Sequence, residues 1–149
     1  LYSSADRAPL QEPLLVLDGD GLGPVTTLAV PSRVTPTYAP AGGHLISATV
    51  LGAPVESDAG LEVRVRGQMA GWFGAAPVAR WRHLRTYRIP FAQFDQSPGV
   101  LEPAHRPVCL GPRLFVCGDH VENASINGAM AAGRRAAEAV LAAPQGVLT

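Results

Sequence analysis

Residues 114–143, LFVCGDHVENASINGAMAAGRRAAEAVLAA, hold the types and spacing best suited to chemistry in this chain. Gly118 and Asp119 follow a short apolar run, the place where open α/β sheets present groups to ligands. A carboxylate there can accept hydrogen bonds from ribose-like or ribityl hydroxyls, or it can simply close a turn, and the residues alone allow both. A few positions on, Ser125 or Asn123 can cap a helix, which leaves the N–H groups of Ile126, Asn127 and Gly128 free to donate. The positive end of the helix dipole adds an attraction for negative charge. Gly128 and Gly133, among Ala129, Ala132 and Ala136, strip that surface of bulk. Glycine costs about 1 kcal/mol relative to alanine inside a helix, so close approach of a ligand or of another backbone is expected. The whole suits the polar flank of a large cofactor.

Other constellations are weaker. Residues 81–91, WRHLRTYRIPF, alternate as a strand would, with Trp81, His83, Arg85 and Tyr87 on one face and Arg82, Leu84, Thr86 and Arg88 on the other. Such a face fits a substrate-facing sheet or an ordinary solvated one. The four histidines, His44, His83, His105 and His120, lack metal-ligand spacing, so no metal site is expected. Cys109 and Cys117 are too few for a disulfide scaffold, and Cys117 reads as a buried, inert thiol. No serine sits in a nucleophile elbow. Gly19, Gly21 and Gly23 imitate a dinucleotide loop, but Pro24 and a strand follow where phosphate binding needs a helix.

The elements around these residues follow from periodicity. Residues 13–18 (PLLVLD), 25–30, 44–51 (HLISATVL) and 83–89 read as strands, and residues 18–24 as a hairpin-like turn. A loop carrying Tyr38 is expected over 32–43 and a long Pro- and Gly-rich loop over 96–112. LEVRVR at 61–66 alternates like a strand. Leu61, Val65, Met69, Trp72 and Phe73 nevertheless form a helical stripe after a Ser57 or Asp58 cap, and its length favours a helix ending at Gly74. Residues 114–117 read as a last, buried strand and 125–143 as a last helix closed by Pro144. That helix would have Ile126, Ala129, Met130, Gly133, Ala137, Val140 and Leu141 inward and Arg134, Arg135 and Glu138 in water.

The 149 residues are 47% hydrophobic and 16% charged with net charge zero, the profile of a folded domain with a real core. Every basic residue is arginine, which with abundant Ala, Gly and Pro reads as the coding bias of a GC-rich, bacterial genome. Without a basic face, nucleic acid and anionic membranes are poor partners. No apolar run reaches the roughly 18 residues of a membrane span, and no signal peptide is visible, so a cytoplasmic protein is expected. The opening LYSSADRAPLQEP has no initiator Met and reads as a fragment or processed piece of something longer.

The final stretch resembles the C-terminal FAD-binding segment of the flavin amine oxidase and phytoene desaturase superfamily, in which a strand ends in Gly-Asp and a helix opens on a Ser-hydrophobic-acid-Gly-Ala pattern. GLGPVTTLAVPSRVTPTYAPAGGHLISATVLG and WRHLRTYRIPFAQFDQSPG are similar to a bacterial and plastid branch of such oxidoreductases. The resemblance implies an α+β fragment of the FAD-binding superfamily. Residues 1–112 would form part of an antiparallel substrate-domain sheet with a helix, and 113–149 the strand and helix that complete the FAD domain. It implies FAD as cofactor, with Gly118, Asp119, Ser125, Ile126, Asn127 and Gly128 in the cofactor site. Asp119 would lie at the ribityl or pyrophosphate region, and the Ile126 and Asn127 amides at the pyrimidine edge. Asn127 stands where the family usually has an acid, and the loop from Gly118 to Ser125 is shorter than in many members. Tyr87 and Phe91 would line a pocket for a small or isoprenoid-like substrate, which would give a hydride to the flavin. The family's N-terminal GxGxxG unit, which holds the ADP half, is absent here, so the piece alone would be inactive and would need that portion as partner. A homo-oligomer stays open. Two other outcomes stay open: a non-catalytic truncated domain and a binding module for a hydrophobic ligand.

Overall fold

The computed structural model describes residues 1–100 and 102–143. The chain divides into two compact units, Leu1–Pro90 and Phe91–Thr149. Residues 91–112 group with the last strand and helix in the second of these units.

The first unit is built on a five-stranded sheet ordered β2-β3-β4-β1-β5, every pairing antiparallel. Its strands are β1 (Tyr2–Ala5), β2 (Leu15–Leu17), β3 (Val25–Ala29), β4 (His44–Val50) and β5 (Arg82–Arg85). β1, with two serines, carries little periodic signal, yet it pairs with both β4 and β5. The expected loop over 32–43 contains a short helix, α1 (Pro31–Val34), and a 3-10 turn at Pro36–Tyr38. Ser32 is buried there because its hydroxyl accepts the Leu45 N–H at 3.0 Å and so anchors that excursion to β4.

Helical period prevails over strand alternation at residues 58–73. The helix α2 (Asp58–Phe73) opens where Ser57 Oγ accepts the Gly60 N–H, and it stops at Gly74, whose φ of 89° is open to glycine. Leu61, Val65 and Met69 are buried and Trp72 and Phe73 half-buried, packed with Leu28, Ile46, Ala48 and Trp81 in one core. Val63, which the strand reading would bury with its neighbours, is exposed. A short α3 (Ala75–Ala79) follows, and Arg66 donates to Val78 O in it at 2.7 Å and to Trp81 O just beyond it at 3.0 Å.

In the second unit, β6 (Cys109–Gly111) and β7 (Leu114–Phe115) form a two-stranded antiparallel hairpin. A 3-10 turn at Asp119–Val121 follows, then α4 (Ile126–Ala142). Three sequence-based expectations are corrected here. The end of the proposed 96–112 loop is strand β6. The last strand stops at Phe115 and is not buried, since Leu114 is exposed. Cys117 and Cys109 are both exposed thiols. Pro144 lies outside the described residues.

The burial of α4 is also turned from the expected one. Ile126, Met130 and Leu141 are 82%, 69% and 80% exposed, whereas Gly128 is buried and Ala132 and Ala136 are buried against Val108 and Val121. The small residues allow the 3-10 turn and the preceding loop to approach the helix closely, and the bulky side chains are left outside.

Candidate functional site

Two sites emerge, one in each unit. In the second unit the Gly118–Gly128 corner has a defined local architecture. Gly118 has φ 144°, a backbone conformation that favours glycine before the Asp119 turn, and a Cβ there would also push the exposed His120 ring aside. The turn is closed by Val121 N–H donating to Gly118 O at 3.3 Å and Glu122 N–H to Asp119 O at 3.0 Å. Among the described residues no donor reaches the Asp119 carboxylate, which is half-buried. Its carboxylate is therefore not what holds the turn.

Ser125 is the helix cap. Its Oγ accepts the Gly128 N–H at 2.9 Å and donates to Asn123 Oδ1, while its own N–H donates to Asn123 O at 2.7 Å. Asn123 thus buttresses the cap and does not serve as one. The expectation of three free amides is corrected: the cap occupies the Gly128 N–H. Gly128 also owes its missing side chain to the chain itself, because a Cβ there would collide with the Asn123 carbonyl. The Ile126 and Asn127 N–H groups have no acceptor among the described residues. Gly133 faces open space, with nothing within 4 Å of a Cβ built on it. The donor set left is two adjacent amides at the positive end of a long helix, preceded by an unengaged carboxylate. In kind it fits the hydroxyls and electron-rich ring edge of a flavin nucleotide.

Glu122, Arg106 and Arg135 went unnoticed as site-shaping residues. Arg135 sits on the side of α4 assigned to water, but its guanidinium donates to Arg106 O at 3.1 Å and Val121 O at 2.9 Å and meets Glu122 Oε2 at 2.6 Å. An arginine beside a run of alanines was the available signal, since its long stem can reach across bare helix surface.

In the first unit, Tyr2, Leu45, Leu84, Arg85, Tyr87 and Ile89 line an open hollow of about 530 Å³. A β-bulge shapes it. Ser3 pairs with His83 and Tyr2 with Arg85, so Leu84 is the extra residue on β5. The bulge breaks the strict alternation expected for residues 81–88, and Leu84 and Arg85 border the same hollow. His83 instead points to α2, with Nδ1 3.8 Å from Glu62 Oε2. Tyr87 packs edge-on against Tyr2, ring centroids 5.8 Å apart, with the Arg85 guanidinium 5.1 Å from its ring centre. Arg88 fixes the segment behind it, donating to Pro54 O, Glu56 O and Asp58 Oδ1 at 2.6–2.7 Å. Phe91 is 91% exposed and belongs to the second unit.

Among the described residues no group of His, Cys, Asp and Glu could hold a metal, and no helix is long and apolar enough to cross a membrane. The chain belongs to the flavin-containing amine oxidoreductase family, which it matches over residues 6–141. No curated protein and no solved structure matches it significantly.

Proposed function

We propose that this chain supplies the substrate-binding sheet and the C-terminal flavin contacts of an FAD-dependent oxidoreductase whose hydride donor is a small or isoprenoid-like organic molecule. The observation that carries the reading is the pair of unsatisfied amides at Ile126 and Asn127, one short loop after the unengaged Asp119 carboxylate, in a chain of this family. Bound flavin would supply the redox chemistry, as acceptor of a hydride (one proton with two electrons) from a substrate C–H bond. The chain's own part is to bind and orient. Asp119 would accept hydrogen bonds from ribityl or ribose hydroxyls, and the Ile126 and Asn127 amides would donate to the pyrimidine edge and favour negative charge there. Tyr2, Leu84, Tyr87 and Ile89 offer an apolar surface to a substrate of desaturase type. The ADP half of the cofactor would rest on a GxGxxG unit outside this sequence.

The same hollow, with Tyr87 as an amphipathic anchor, supports a second reading as a hydrophobic-ligand module without redox chemistry. Absorption spectroscopy separates the two. In a polypeptide that also carries the GxGxxG unit, the first reading expects the two visible bands of oxidised flavin, their bleaching by substrate without oxygen, and loss of bound FAD in Asp119→Ala. A colourless protein that binds apolar probes at the hollow would establish the second.

A further inference from the structure

We propose that Arg135 is a positioning residue for the flavin nucleotide, acting through the Asp119–Glu122 turn. This rests on the reading of the Gly118–Asn127 corner given above. The turn is a single 3-10 element of three residues, closed by internal hydrogen bonds of 3.0 and 3.3 Å, and so short a piece does not hold its own shape. Its C-terminal end is held from outside. Val121 O receives two donors, the Arg106 N–H at 3.0 Å and Arg135 Nη2 at 2.9 Å. Arg135 Nη1 donates in turn to Arg106 O at 3.1 Å, so one planar fork ties the turn to the loop before β6. The Arg106 side chain takes the neighbouring carbonyl, His120 O, at 3.4 Å, and Val100 O at 2.7 Å.

Glu122 locks the fork. Its side chain is 9% exposed, with Oε1 2.7 Å from His105 Nδ1 and Oε2 2.6 Å from Arg135 Nη2. The Oε2 approach pairs the charges without an aligned hydrogen bond, and Arg135 Nε is buried with no acceptor. The guanidinium is thus held by its position among carbonyls and a carboxylate, and a rotation of the turn would break all of these contacts together. Asp119 opens the turn whose last residue, Val121, the fork grips, so the orientation of its carboxylate follows the fork. A lysine ammonium, a point charge on a flexible stem, lacks the rigid planar fork that meets Val121 O and Arg106 O together.

The test compares Arg135→Lys, Arg135→Ala, Asp119→Ala and, as a control at an exposed neighbour, Arg134→Ala, in the FAD-loaded protein. The readouts are FAD affinity by flavin-fluorescence titration, the visible circular dichroism of flavin at saturating FAD, and the thermal midpoint of the apoprotein. Arg135→Lys is expected to weaken FAD binding by about tenfold or more, the factor carried by one charge-assisted hydrogen bond. It is also expected to alter the dichroism of the flavin still bound, while Arg134→Ala changes neither. Unchanged affinity and dichroism in both Arg135 variants, beside a weakened Asp119→Ala, overturn the positioning role and leave the site intact. Unchanged FAD binding in Asp119→Ala overturns the site and the positioning role with it. Arg135 variants that lose FAD only as far as the apoprotein melts earlier, or that do not fold, show a structural residue and also overturn the proposal.

Discussion

Gly128 and Gly133 lie on one helix, yet their surroundings differ. A Cβ at Gly128 runs into the Asn123 carbonyl, whereas one at Gly133 meets nothing within 4 Å. Gly128→Ala should therefore destabilise the second unit by about 1–3 kcal/mol through forced displacement of backbone. Gly133→Ala should stabilise the apoprotein by about 1 kcal/mol through helix propensity alone. Urea denaturation of the two variants checks the pair, and equal effects would contradict the packing described. Gln68 is a second residue whose role is read from its partners. Its amide accepts the Val25 N–H at 2.7 Å and donates to Val25 O at 3.0 Å and Asp18 Oδ2 at 3.1 Å, so it completes the first residue of β3 as a neighbouring strand would. Val25 is fully buried, so Gln68→Ala leaves two backbone groups without partners and should lower stability by about 2 kcal/mol or more, measured by thermal or urea unfolding.

At the scale of elements, α4 shows why a helix's buried face need not be its most apolar one. Ala132, fully buried, should not tolerate Ala132→Leu, which overpacks the contact with Val108 and Val121 by about 1–3 kcal/mol. Met130→Gln, on the exposed apolar face, should stay within about 0.5 kcal/mol of the parent. Differential scanning calorimetry of both variants tests which face is the packed one. α2 behaves as the periodicity implies. Ser57 and the Leu61–Val65–Met69 stripe set its start and its buried side, because helix spacing and a cap are local properties of sequence.

For the whole molecule, each unit has its own core, and the segment that opens the second is mostly exposed and has no helix or strand over residues 91–100. Such a segment is where proteases enter first. Limited digestion should cut within 91–100 and release a piece ending near Pro90 that keeps its sheet signal in circular dichroism. First cleavage inside β4 or α2, followed by mass spectrometry, would show that the units are not separately stable. Flavin bound at the Asp119–Asn127 corner should raise the unfolding free energy of the second unit by about 2.7 kcal/mol when free FAD stands a hundredfold above its dissociation constant, read as a higher thermal midpoint.

Local chemistry in the sequence determined the strands around Val25 and His44, the α2 helix, the Gly-Asp turn and the Ser125 cap, since each depends on neighbours a few residues away. It also carried the family, because the Gly118–Gly128 motif is contiguous. Three things came only from the tertiary structure. Small residues and not large ones pack α4, because a close approach is decided by what lies opposite. The extra residue at Leu84 joins Tyr2, Leu45 and Tyr87 around one hollow, because a bulge exists only relative to a partner strand. Arg135, a surface residue by pattern, reaches carbonyls 14 and 29 positions away, contacts created by the fold's return on itself.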